Sequence, residues 1–182
     1  MSNAIGMVEY TTVSTGMQAA DLIVKTANVE IVEASTVCPG KYMVIFAGEI
    51  SAVKASVENC KTRYSAKLID SFVLGNPHED ILPAICGATD VSEVEALGVF
   101  ETYTAASAVV AADNTVKTSS VDLIEIRLAR GMCGKSYMTL TGEVAAVTAA
   151  IESAKEQLKD KGTFLDSSII ARPSEKLWKS IV

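Results

Sequence analysis

The chain repeats itself. Residues Ala4 to Asp21 lie over Ala96 to Asp113 at an offset of 92, which sets Gly6 on Gly98, Glu9 on Glu101, Thr12 on Thr104 and Asp21 on Asp113. The match runs on through Lys25 on Lys117, Thr26 on Thr118, Val29 on Val121 and Glu33 on Glu125, after which the offset becomes 94. Gly40, Lys41, Gly48, Glu49 and Val53 then meet Gly134, Lys135, Gly142, Glu143 and Val147; at a final offset of 96, Asp70, Ser71 and Pro77 meet Asp166, Ser167 and Pro173. A period near 92 is too long for a solenoid repeat and suits a small domain, so the sequence reads as a duplication: one domain over 4–86, a second over 96–182, and a join near Gly87 to Glu95. Each change of offset marks two extra residues in the second copy, one insertion around Arg127 to Cys133 and one between Gln157 and Phe164, where loops would absorb them.

Within each copy the hydrophobic period alternates. Ile5 to Thr12 has strand character, and Met17, Ala20, Leu22, Ile23 and Thr26 recur at helical spacing in a segment that Ser14 is placed to cap. Val29 to Val37 is rich in β-branched residues and stops at Pro39-Gly40 before the apolar run Tyr42 to Ala47, the signature of a hairpin. Ser51 to Lys61 is helical by spacing, Leu68 to Leu74 reads as a strand and Asp80 to Ile85 as a short helix. The order βαββαβα, repeated, predicts an α/β fold, an α+β sandwich of sheet and helices in each half.

Composition narrows the function. Sixteen Lys and Arg against 22 Asp and Glu give a net charge of −6 with no basic run, which speaks against a nucleic-acid partner. Met1 to Met7 lacks a basic and apolar leader, and no stretch approaches the roughly 18 uninterrupted apolar residues of a membrane span, so the expected location is cytoplasmic, with no membrane partner. An enzyme is not expected either. His78 is the single histidine, its counterpart is Ser174, and it reads as a surface or capping residue; no triad, Walker loop, GxGxxG or HExxH is present. Gly131-Met132-Cys133-Gly134-Lys135 lacks phosphate-loop spacing and reads as a tight turn.

The four cysteines, at 38, 60, 86 and 133, are neither dense nor paired as CxxC, so free thiols or ligands are expected. Cys60 and Cys86 read as packing thiols. Cys38 differs, because it opens a turn between two strands and precedes Pro39, a dipeptide also found at iron–sulfur ligands. One thiolate cannot hold a cluster, but three copies meeting on a threefold axis would bring three Cys38 thiolates together. Cys133 lies in the corresponding turn of the second copy, displaced by one because Cys38 itself aligns with Met132; ligand and bystander roles both stay open for it.

Several motifs recur in both copies: the opening Ala4-Ile5-Gly6-Met7-Val8-Glu9 strand, the Ala-Asp-x-x-x-Lys-Thr helix end within Ala20 to Val29, the Gly-Lys hairpin, and a strand closing before Pro. Together they make the whole chain resemble the tandem-domain, trimer-forming branch of bacterial microcompartment shell proteins. The Cys38-Pro39-Gly40-Lys41 turn and the Arg172-Pro173-Ser174-Glu175 segment are similar to the T-type shell proteins of propanediol-utilisation microcompartments. The resemblance implies a homotrimer that mimics a six-domain tile, set in the compartment shell within the cytoplasm. It implies a central pore lined by Cys38, Pro39, Gly40, Met132, Cys133 and Gly134, and one [4Fe-4S] cluster per trimer ligated by Cys38 from three subunits. It also implies contacts with other shell proteins, edge to edge, at Lys25, Lys117 and Arg172, and an encapsulated redox enzyme as a further partner. Electron transfer across the shell or cluster transport is the function that follows; a passive tile with a small-molecule pore and no cluster is the alternative.

Overall fold

The computed structural model describes residues 4–91 and 95–181. The first three residues of the N-terminal segment, residues 92–94 of the expected join and Val182 at the expected end of the second domain lie outside them.

Elements follow the expected order twice. The first set is β1 (Ala4–Tyr10), α1 (Val13–Thr26), β2 (Val29–Val37), β3 (Lys41–Gly48), α2 (Ile50–Arg63), β4 (Leu68–Leu74) and α3 (Ile81–Cys86). The second is β5 (Ala96–Thr102), α4 (Ala105–Thr118), β6 (Asp122–Arg127), β7 (Ser136–Gly142), α5 (Val144–Leu158), β8 (Phe164–Ile170) and α6 (Glu175–Ile181). They build two antiparallel four-stranded sheets, ordered β2-β3-β1-β4 and β6-β7-β5-β8. Even the irregularities repeat: the register shifts between Glu9 and Tyr10 and again between Glu101 and Thr102, and between Ile31 and Glu33 as between Leu123 and Glu125. A bulge re-aims the side chains beside it, so its recurrence means that both sheets present equivalent positions in equivalent directions.

The contacts divide the chain into two compact units. Of the described residues, the first comprises 4–77, Thr104–Ala106 and Ala129–Gly134; the second comprises 78–91, 95–103, Ser107–Leu128 and 135–181. In the first, alternation along β1 turns Ala4, Val8 and Tyr10 toward Ala19, Ile23, Val53, Val57 and Cys60 of the covering helices. Gly6 lies in the same row. A Cβ there would come within 2.7 Å of Val53 Cγ1, and one at Gly98 within 2.9 Å of Val147 Cγ1, so the paired glycines let a helix sit close on each sheet. In the second unit α3 packs on β6, burying Ile81 and Ala84 with Leu123, Ile124 and Ile126.

Two local expectations are corrected. The α1 N-cap position is held by Thr12, not Ser14, because the helix begins at Val13, two residues earlier than a Ser14 cap would set it. Cys86 is exposed rather than packed: Ile81 and Ala84 occupy the face of α3 that meets β6, and residue 86 falls off that face just before the left-handed Gly87. Cys60 is buried as expected. The two insertions fall where they were expected, in the β6–β7 turn and in the 3₁₀ turn Lys159–Lys161 that leads to β8. No helix among the described residues is long and apolar enough to cross a membrane.

Candidate functional site

The turns singled out in the sequence meet within the first compact unit. The tight turn Cys38-Pro39-Gly40 joins β2 to β3, with the Gly40 N–H donating to Val37 O at 3.0 Å and a cis Cys38–Pro39 bond. The turn between β6 and β7 is longer and places Ala129, Gly131, Cys133 and Gly134 in the left-handed region. Two observations tie the turns together. The Cys38 N–H donates to Ala129 O at 3.0 Å, and a Cβ on Gly134 would lie 3.0 Å from Cys38 O and 2.8 Å from Lys41 Nζ. Glycine at 134 is therefore required twice, by a φ of +86° and by lack of space. Arg130 adds a clamp, its guanidinium reaching the Glu33 carboxylate and, at 3.3 Å, Ser35 Oγ on β2.

Cys38 is half-buried at this junction, Pro39 and Gly40 are exposed, Met132 is half-buried, Cys133 exposed and Gly134 buried. Among the described residues no three His, Cys, Asp or Glu side chains converge on a point where they could hold a metal ion. One copy thus offers Cys38 as a single, partly accessible thiol on a braced turn, a donor set that fits a cluster only when several copies contribute. Cys60 is chemically quiet by contrast: burial pushes its thiol pKa up, against the lowering effect of a hydrogen bond with Tyr10.

A buried carboxylate supports the turns, and sequence reasoning missed its role. Glu9 lies on β1 diagonal to Lys41 across the β1–β3 ladder, and the Lys41 Nζ donates to Glu9 Oε1 at 3.0 Å. Its second oxygen accepts the Ala105 N–H at 3.3 Å. Burial raises the Glu9 pKa above the ordinary carboxylate value and Asp70 adds to that, while Lys41 and the Ala105 N–H pull it down. The signal was present in the repeat: Glu9 and Lys41 recur together as Glu101 and Lys135.

The residues expected at tile edges lie apart from these turns in sequence. Lys25 ends α1 in an exposed pair with Asp21 at 2.6 Å, and Lys117 ends α4 in the matching pair with Asp113, also at 2.6 Å. Both cations stand at helix C-termini, where they are favoured. The pairs differ in burial, since the Asp113 side chain is only 7% exposed against 60% for Asp21, and Asp113 also accepts the His78 N–H at 2.8 Å. Arg172 is exposed between β8 and α6. His78 precedes α3, its carbonyl accepting the Ile81 N–H at 3.2 Å.

Comparison with known proteins bears on this arrangement directly. The BMC domain family matches residues 4–77 and again 96–173. The microcompartment shell protein PduT of Citrobacter freundii is 38% identical over 182 residues, which is 100% of this chain and 99% of that protein. The carboxysome shell protein CcmK1 of Thermosynechococcus vestitus is 33% identical over 85 residues, 44% of this chain and 75% of its own length. A microcompartment protein from Desulfitobacterium hafniense superposes with a TM-score of 0.87 at 40% identity, over 98% of this chain and 99% of its own. The fused permuted hexameric shell protein MSM0275 shares the fold alone, at 22% identity, a TM-score of 0.67 and coverage of 87% and 84%. Two matched domains and a full-length relative together establish that this chain belongs to the BMC-domain family, as a PduT-like structural shell protein of a bacterial microcompartment.

Proposed function

We propose that three copies of this chain close into a pseudohexameric tile whose central pore is lined by Cys38, Pro39, Gly40, Met132, Cys133 and Gly134, and that Cys38 from the three copies holds one [4Fe-4S] cluster. The observation that carries the reading is the Cys38 turn itself: a half-accessible thiol on a turn fixed by the Ala129 carbonyl and by Gly134, offered once per chain. When bound, such a cluster supplies one-electron redox chemistry at a potential set by exposure and by hydrogen bonds to its sulfurs. The chain's part is to fix the position of the thiols, through the Cys38 N–H to Ala129 O bond and the Lys41 side chain held by Glu9. Electron transfer across the shell to an encapsulated redox enzyme, or cluster transport, is the function this arrangement serves. The tile sits in a shell within the cytoplasm and meets other shell proteins edge to edge through Lys25, Lys117 and Arg172.

Ring closure has its own support in the unequal burial of equivalent surfaces. Leu123 and Ile124 of β6 are 2% and 6% exposed under α3, while their counterparts Ile31 and Val32 on β2 are 37% and 43% exposed. The counterpart of the buried Ile81, Leu177 of α6, is 37% exposed. A free apolar strand face and a free apolar helix, matched by a pair already packed within the chain, suit a head-to-tail contact between copies.

Anaerobic reconstitution with iron and sulfide, followed by iron counting, low-temperature EPR and mass determination, tests the reading on wild type and Cys38→Ser. About four irons per trimer are expected in the wild type, and none in the variant. If neither protein holds iron although both are trimeric, the protein is a passive tile with a small-molecule pore in which Cys38 is a lining thiol.

A further inference from the structure

The N-terminus of α4 is held by two carboxylates on adjacent strands. Glu9 on β1 and Asp70 on β4 are register partners. Glu9 accepts the Ala105 N–H at 3.3 Å, and Asp70 Oδ2 accepts the Thr104 hydroxyl at 2.7 Å while its Oδ1 takes the neighbouring Ser71 N–H at 2.8 Å. All of these groups lie within the first compact unit. Further along the same helix, within the second unit, Asp113 accepts the His78 N–H at 2.8 Å.

The internal repeat carries each of these groups to a second location. Glu101 on β5 and Asp166 on β8 are again register partners, and Asp166 Oδ1 again takes the next N–H, that of Ser167, at 2.8 Å. Yet Glu101 is half-buried and Asp166 exposed, whereas Glu9 is fully buried. The helix equivalent to α4 is α1, whose N-terminus has no side-chain cap and no acidic residue in its first turn; the Thr12 hydroxyl turns instead to Thr15 Oγ1 at 2.9 Å. The chain therefore displays a carboxylate pair facing outward and, elsewhere, a bare helix N-terminus with its positive partial charge. The two are complementary in charge, and the geometry that joins them is already realised once in the chain.

We propose that Glu101 and Asp166 of one copy receive the α1 N-terminus of a second copy, through its Val13 N–H and Thr12 hydroxyl, and that Asp21 of that second copy accepts the Ser174 N–H of the first. The occupant is another copy of this chain, and the inference rests on the ring reading above, to which it adds the polar contacts that set orientation. The contact joins unlike surfaces, so each copy donates at one side and receives at the other. Glu101 becomes buried on assembly, as Glu9 is within the chain.

Thr12→Asp separates assembly from folding. Asp is at least as good a helix cap as Thr, so α1 keeps its start, but the new carboxylate faces Glu101 and Asp166 of the neighbour. Association is read by light scattering and sedimentation over graded protein concentration, with circular dichroism to verify folding. Thr12→Asp and the double variant Glu101→Gln/Asp166→Asn should each weaken association about tenfold or more, and combining all three should recover most of the loss, because the amides can donate to Asp at 12. If the wild type assembles and none of these variants alters it, or if the losses add instead of compensating, the proposed contact is wrong and the ring is joined elsewhere. If the wild type is monomeric at every concentration, the ring reading itself fails.

Discussion

Gly134→Ala is the most informative single change at the paired turns, because Gly131 four residues into the same turn provides its control. Both glycines are left-handed, at φ +86° and +72°. An alanine in that region costs about 1–2 kcal/mol, and this is the whole effect expected at Gly131, where nothing lies within 4 Å of an added Cβ. At Gly134 the Cβ would stand 3.0 Å from the Cys38 carbonyl oxygen and 2.8 Å from Lys41 Nζ. The first is backbone held by its own turn, and the second is tied to Glu9 at 3.0 Å, so neither moves freely. Overpacking of this kind adds about 1–3 kcal/mol, which brings Gly134→Ala to about 2–5 kcal/mol in total. Urea denaturation of the two variants beside the wild type gives the difference, and the rate of Cys38 alkylation by iodoacetamide shows whether the turn has shifted. Equal stability of the two alanine variants, with Cys38 labelling at the wild-type rate in both, would refute the view that Gly134 braces the cysteine turn.

Glu9 and the α3–β6 packing yield two more predictions. The folded Glu9 has a raised pKa, so its contribution to stability is fully present below the unfolded value and is lost as pH rises through the folded one; Glu9→Gln should therefore gain stability relative to wild type across that rise, and parallel stability-against-pH curves would contradict it. Ile81→Ala empties a fully buried position under β6 and should lower stability by about 2–5 kcal/mol, whereas Leu177→Ala, 37% exposed, should change chain stability by under about 1 kcal/mol while weakening association between copies; equal stability losses in the two would remove the distinction between packed and free helices.

Much of this was legible because local periodicity decided it. The alternation in β1 and the β-branched run ending at Pro39-Gly40 leave little freedom, and the duplication lets each element be read twice. The Cys38 turn was visible for the same reason. What stayed hidden depends on contacts between residues far apart in the chain. The face a six-residue helix buries is chosen by the strand it meets, so the exposure of Cys86 follows from β6 and not from Ile81 to Ile85. The bond from Cys38 N–H to Ala129 O has no local signal at all. Glu9 sits in an otherwise apolar strand, where period alone suggests a solvated charge; only the Lys41 and Ala105 partners make its burial tolerable. The start of α1 at Val13 rather than after Ser14 is a shift of the size that helix ends commonly show.

The inequality of the two turns has a consequence for stoichiometry and for evolution. In an assembly of identical single domains, every substitution near the axis appears in every domain, and a thiol is present everywhere or nowhere. Fusion of two copies releases that constraint. Here one turn has Cys38 and a compact three-residue form, while its counterpart carries Met132 at the aligned position, two extra residues and its own set of left-handed angles. In the proposed ring the count of Cys38 thiols would be set by the number of chains and not by the number of domains, and either turn can drift under selection without dragging the other along.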